Sequence, residues 1–235
     1  MAGSAISAGR MNLLVALFRS SLGKKYVMAI SGAALVLFVI GHLLGNLQIF
    51  LGPEALNKYA AFLKASPELL WGARAGLLLM VGLHLVSAAL LLRQNSDARQ
   101  AEYEKNDLVA ASFASRTMIA SGIILFTFIV FHLLHYTALQ IDTSFAALRD
   151  AQGRHDVYRM VISGFSHRGV SGFYILSMGL LCLHISHGAS AMFQSLGLKT
   201  DRNRDVLDGA AKTLGLVLFL GYASIPVAVL LKLIH

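Results

Sequence analysis

The sequence predicts an all-α membrane protein, a bundle of five transmembrane helices. Three observations lead to it. Of 235 residues, 56% are hydrophobic and only 14% are charged, a charge content low for a soluble domain. The mean hydropathy is +0.66, and the apolar residues fall in five long blocks, as membrane spans require. The basic residues, which give a net charge of +8, gather at the block ends. That placement belongs to topology signals and interface anchors rather than to a nucleic-acid surface.

The blocks run roughly over 27–50, 71–92, 118–139, 169–192 and 213–234. Each has about 20 or more residues, enough to cross a hydrocarbon core of about 30 Å as a helix. Residues 1–26 form a cytoplasmic amphipathic segment ahead of the membrane domain, 27–235. The apolar run Met11–Phe18 is short for a signal-peptide core and leads straight into Arg19, Lys24 and Lys25. It reads as a retained interfacial helix. With the N-terminus inside, the inner segments hold four Lys or Arg each: Arg10, Arg19, Lys24 and Lys25; Arg93, Arg99, Lys105 and Arg116; Lys199, Arg202, Arg204 and Lys212. The outer segments hold Lys58, Lys64 and Arg74; Arg149, Arg154, Arg159 and Arg168; and Lys232. The excess places the N-terminus on the cytoplasmic side.

Between the spans, Pro53–Leu63 has helical spacing and is expected to lie along the outer surface. The polar loop 94–106 is available on the inner face to a soluble partner. Pro226 falls inside the last span, where neighbouring helices tolerate a kink. No repeat of fixed period stands out. The one cysteine, Cys182, excludes an internal disulfide and reads as a small core residue.

Ionisable side chains deep in a span are costly and mark function. Six of the nine histidines lie in spans: His42, His84, His132, His135, His184 and His187. Counted from each span's midpoint at about 1.5 Å per residue, His42 and His132 sit roughly 5 Å toward the outside. His84 and His184 sit roughly 4–5 Å toward the inside on the same scale. The four thus form two levels about 10 Å apart, one histidine per helix. His135 and His187 lie one turn further out and read as neighbours of the sites or of propionate groups. A lone buried histidine is ordinarily a residue bonded to the next helix. Four on four helices, matched in depth, point to two bis-histidine hemes, closed to other ligands and suited to electron transfer. Zinc wants its ligands converging on one point, which two levels do not offer. The missing Cys-x-x-Cys-His motif excludes covalent heme. Gly41, Gly45, Gly82 and Gly188 near these histidines serve either helix packing or clearance for a flat macrocycle.

The segments Gly41-His42-Leu43-Leu44-Gly45-Asn46, Leu83-His84-Leu85, Phe131-His132-Leu133 and Leu183-His184-Ile185-Ser186-His187-Gly188, with Phe193-Gln194-Ser195-Leu196-Gly197 beyond, resemble the five-helix, two-heme cytochrome b subunit of succinate dehydrogenase and fumarate reductase. The resemblance covers essentially the whole chain. It implies a distal heme b held by His42 and His132, and a proximal heme b held by His84 and His184. It implies a membrane anchor of a succinate:quinone oxidoreductase in a bacterial-type cytoplasmic membrane. Such an anchor carries flavoprotein and iron–sulfur subunits on its cytoplasmic face and passes electrons to menaquinone or another quinone, without binding succinate. Cys182 stands where some fumarate reductases carry a glutamate for proton movement. Quinone-site candidates are Glu68, Arg74 and His135 outside, and Ser20, Ser21, Arg116 and His187 inside. Arg74, Arg116 and Arg168 serve either as interface anchors or as partners of propionates. Two other functions fit the same chain: the cytochrome b subunit of a formate dehydrogenase or hydrogenase, and a heme-free, histidine-bearing transporter. Spans without an Asp or Glu argue against the transporter.

Overall fold

The structure, a computed structural model, describes residues 18–97 and 117–235. Most of the amphipathic N-terminal segment, most of the inner loop 94–106, and Arg116 lie outside the described residues. The described chain is helical, and five of its helices are long and apolar enough to span a membrane.

Helix α1 (Ser21–Asn46) starts where the Ser20 hydroxyl accepts the Gly23 N–H at 2.9 Å, a side-chain cap for an otherwise unpaired donor. It begins six residues before the apolar block, because a helix continues beyond the hydrocarbon as long as its end is capped. A 3-10 turn (Leu47–Leu51) follows. Gly52 then takes φ 94°, a conformation open to glycine, and the chain reverses into α2 (Pro53–Lys64). Proline at its first position and Glu54 in its first turn suit a helix start, and Lys64 in its last turn suits the end. Pro67 opens α3 (Pro67–Asp97).

Helix α4 (Met118–His132) runs into one π-helical turn, Leu133–Thr137. There Ala138 N–H reaches the Leu133 carbonyl at 2.7 Å, five residues back. His135 and Tyr136 lie within this turn, and Leu139, two residues beyond it, takes φ 54°. Short helix α5 (Val157–Ser166) is capped by Asp156, whose carboxylate accepts the Arg159 N–H. It meets α6 (Arg168–Ser195) at His167. The buried Ser171 hydroxyl fastens that corner, donating to the Phe165 carbonyl at 2.6 Å. The last helix, α7 (Arg204–Leu230), contains Pro226. It starts nine residues before its apolar block, held to α6 at that end by Lys199, which bonds Asp208 at 2.6 Å and Ser190 at 2.8 Å.

Helices α6 and α7 pack most closely, and α1 packs on α3, α6 and α7, while α4 packs on α6. At the α6–α7 contact, a Cβ on Gly215 would lie 2.7 Å from the Cys182 carbonyl oxygen. Cys182 is therefore a packing residue opposite that glycine. Large apolar side chains such as Leu37, Leu78, Ile123, Leu176 and Leu220 stay exposed on the outside of the bundle, as lipid-facing positions do.

Helix α2 and the segment 142–156 cover one end of the bundle. Asn57, only 1% exposed, donates to Asp156 at 3.0 Å and to Asp150 at 3.4 Å, and accepts the Tyr158 N–H at 2.9 Å. Arg154 pairs with Glu54 at 2.5 Å and with Asp150 at 2.7 Å.

Candidate heme-binding site

The four deep histidines meet as two pairs. His42 on α1 and His132 on α4 have ring centroids 5.9 Å apart. His84 on α3 and His184 on α6 have theirs 6.3 Å apart. Two imidazoles sharing one metal through a nitrogen each, on opposite sides and with bonds of about 2 Å, put their centroids about 6 Å apart. Both pairs span helices whose backbones make at most marginal contact, α1 with α4 and α3 with α6. The rings therefore face each other across gaps in the bundle. These are the pairs that depth arithmetic selects from the sequence.

Three of the four rings have their Nδ1 engaged by a neighbouring helix. His84 Nδ1 lies 3.2 Å from the Met28 carbonyl and 3.4 Å from the Ser31 hydroxyl. His184 Nδ1 lies 3.3 Å from the Ser121 hydroxyl, and His132 Nδ1 lies 3.2 Å from the Tyr174 hydroxyl. A bonded Nδ1 fixes the ring and leaves Nε2 as the free nitrogen, the usual arrangement behind a metal-binding histidine. His42 is held by packing, stacked on Phe38 at 5.2 Å and 6.3 Å from Tyr222. Tyr222 in turn donates its hydroxyl to the Val39 carbonyl at 2.7 Å.

Ser31 touches the inner pair, and His42, in the outer pair, is eleven residues along the same helix, or about 16 Å. Ser121 and His132 repeat that spacing on α4. The order Ser-Gly, nine residues, His thus occurs twice, at Ser31-Gly32/His42 and Ser121-Gly122/His132. This two-fold internal correspondence is legible in the sequence once the serines have a role.

His135 is buried at 2% exposure, and its Nδ1 shares the Tyr174 hydroxyl at 3.3 Å. It sits behind His132 rather than in either pair. His187 is half-buried, one turn along α6 from His184. Arg74 lies over the Trp71 ring at 4.9 Å, an interface pairing on its own helix, and Arg168 is exposed at the start of α6. Ser20 caps α1, and Ser21 accepts from Gln94 at 2.6 Å. Among the described residues no hydrogen bond or ring contact joins Glu68, Arg74 and His135. A cleft between Ala61, Lys64, Arg154 and His155 includes none of them.

The glycines divide by role. A side chain at Gly45 would strike Tyr59 at 2.7 Å, so Gly45 serves packing, whereas Gly41, Gly82 and Gly188 face open space. Two buried hydroxyls have no partner among the described residues, Ser87 and Tyr136. Ser87 lies three residues after His84 and Tyr136 four after His132, one beside each pair. Among the described residues no group of three or more His, Cys, Asp or Glu could hold a metal ion. Two nitrogens do not complete a zinc site, but they do complete an iron whose other four positions come from a macrocycle. The residues fit heme.

Comparison with protein-family models, with curated proteins and with solved structures gave no match.

Proposed function

We propose that the chain is a di-heme cytochrome b that anchors a succinate:quinone oxidoreductase in a bacterial-type cytoplasmic membrane, N-terminus inside. The observation that carries this reading is the pair of cross-helix imidazole couples, at 5.9 and 6.3 Å, inside a five-span bundle. The assignment to succinate and quinone rests on the sequence resemblance. His42 and His132 hold the distal heme, and His84 and His184 the proximal one. Heme, when bound, supplies reversible one-electron chemistry at an iron closed to other ligands. The chain's own residues do the rest. Met28, Ser31, Ser121 and Tyr174 fix the imidazoles, and the lipid-facing shell keeps water out of the bundle. The inner face carries the flavoprotein and iron–sulfur partners, and a menaquinone or other quinone takes the electrons.

The test is a pyridine hemochrome assay with a redox difference spectrum on the complex purified through a tag on this chain. About two protohemes per chain with low-spin spectra are expected, together with copurified flavin and iron–sulfur subunits. His84→Ala should remove one heme and leave the other, and His187→Ala should remove neither. A colourless wild-type protein overturns the heme reading. A formate- or hydrogen-oxidising partner in place of the flavoprotein overturns the succinate assignment.

A further inference from the structure

We infer that Ser31 and Ser121 are positioning residues for the inner histidine pair, each receiving the Nδ1–H of a histidine on a neighbouring helix and so setting the electron-donating strength of that ligand; this rests on the heme reading above.

The direction of each bond follows from counting protons. Ser31 gives its hydroxyl proton to its own helix, at the Val27 carbonyl, 2.7 Å away. Toward His84, 3.4 Å away, its oxygen can then only accept. The Met28 carbonyl at 3.2 Å from the same Nδ1 also can only accept. His84 Nδ1 therefore carries the proton, and Nε2 carries the lone pair a metal needs. Ser121 repeats the arrangement. It donates to the Met118 carbonyl at 3.0 Å and faces His184 Nδ1 at 3.3 Å. Both serines are buried, at 2% and 1% exposure, so water cannot take over as acceptor.

The next residue completes each seat. A Cβ on Gly32 would lie 3.2 Å from His84 Cε1, and one on Gly122 would lie 3.7 Å from His184 Cε1. At Gly32 a side chain would crowd the ring and at Gly122 it would only touch it, and at both places the serine before supplies the acceptor. Helices α1 and α4 thus each seat an inner histidine and, eleven residues on, supply an outer one.

An acceptor behind Nδ1 raises the basicity of the ligand and so favours oxidised iron over reduced iron. Its loss should raise the midpoint potential of the inner site. The two serines are unequal. His84 keeps the Met28 carbonyl when Ser31 is lost, whereas Ser121 is the one acceptor for His184 among the described residues. Ser121→Ala should therefore act more strongly than Ser31→Ala. A tenfold loss of preference for the oxidised form corresponds to a rise of about 59 mV for one electron.

The experiment is a spectroelectrochemical titration of the purified complex, wild type against S31A, S121A and S121T, with heme counted in each. H84A identifies which wave belongs to the inner site. The inference expects two hemes, an inner midpoint raised in S121A and less in S31A, an unchanged outer midpoint, and restoration in S121T, which keeps the hydroxyl. If S121A loses its inner heme, S31A decides, since it retains an acceptor for His84. Full heme content with the wild-type inner midpoint in both alanine variants, or in S31A alone where S121A has lost heme, overturns the inference and leaves the heme reading standing. A wild-type protein without heme overturns both.

Discussion

The hydroxyl of Tyr174 lies 3.2 Å from Nδ1 of His132, crossing from α6 to α4. The same oxygen lies 3.3 Å from Nδ1 of His135. One hydroxyl has one proton, so it can donate to only one of the two histidines and toward the other it can only accept. Under the heme reading proposed above, His132 keeps Nε2 for the iron, so its Nδ1–H donates to Tyr174 and Tyr174 donates to His135.

Tyr174→Phe removes both bonds and orphans two ring nitrogens, one on buried His135 and one on half-buried His132. An unsatisfied buried polar group costs about 1–3 kcal/mol. The variant should unfold at lower temperature in detergent and, under the proposed heme reading, raise the outer midpoint potential while sparing the inner one. Thermal melts and the two-wave redox titration measure the two effects. An unchanged outer wave would show that the tyrosine only packs.

At Gly215, α7 packs against the Cys182 carbonyl and the Ser186 hydroxyl of α6. Gly215→Ala has no flexible side-chain end to push aside, because the nearest atom is backbone. Overpacking of this kind costs about 1–3 kcal/mol. Gly172→Ala, at an exposed position of α6, meets nothing within 4 Å and should leave the melting temperature at or above that of the wild type. Differential scanning of the two variants side by side reads the contrast; equal melting temperatures would mean that the helix contact yields without cost.

The cover formed by α2 and residues 142–156 should loosen in acid. Hydrogen bonding to Arg154 holds the Glu54 carboxyl below its ordinary value of 4.5. Burial, followed by the nearby Lys64 and Arg149 charges, holds His155 below 6.5. Both groups have folded values below their unfolded ones, so each contributes stability at higher pH that is lost as pH falls. His155 begins to lose its share below about 6.5, and Glu54 below about 4.5. Asn57→Ala removes the buried hub and, at about 1–3 kcal/mol, should move the loosening to higher pH. Limited proteolysis of 142–156 across a pH series would show it. A cleavage rate independent of pH in both proteins would refute the assignment.

Much of the architecture is legible in the sequence because lipid imposes a simple rule: about 20 apolar residues per helix. The surface helix at Pro53–Lys64 and the histidine pairs follow from spacing alone. Helix ends do not. α1 and α7 begin well before their apolar blocks, because the Ser20 cap and the Lys199–Asp208 bond hold polar turns that hydropathy leaves out. The π-helical turn after His132 leaves no mark in the composition. Tyr174 and Tyr222 read as ordinary aromatic residues until tertiary packing brings them to His132 and Val39. Arg154 reads as one more outer charge, although it joins α2 to the segment at Asp150. Ser31 and Ser121 were open to discovery from the repeated Ser-Gly spacing, but only a contact reveals that the spacing has meaning.

Each imidazole couple takes one member from the hairpin of α1 and α3 and one from the half that contains α4 and α6. During synthesis the first hairpin enters the bilayer with two histidines and no mate for either. α4 brings the mate for His42, and α6 brings the mate for His84. Pairing is thereby timed by translation: the outer couple can close one span before the inner, and a chain stalled before α6 holds His84 without its mate.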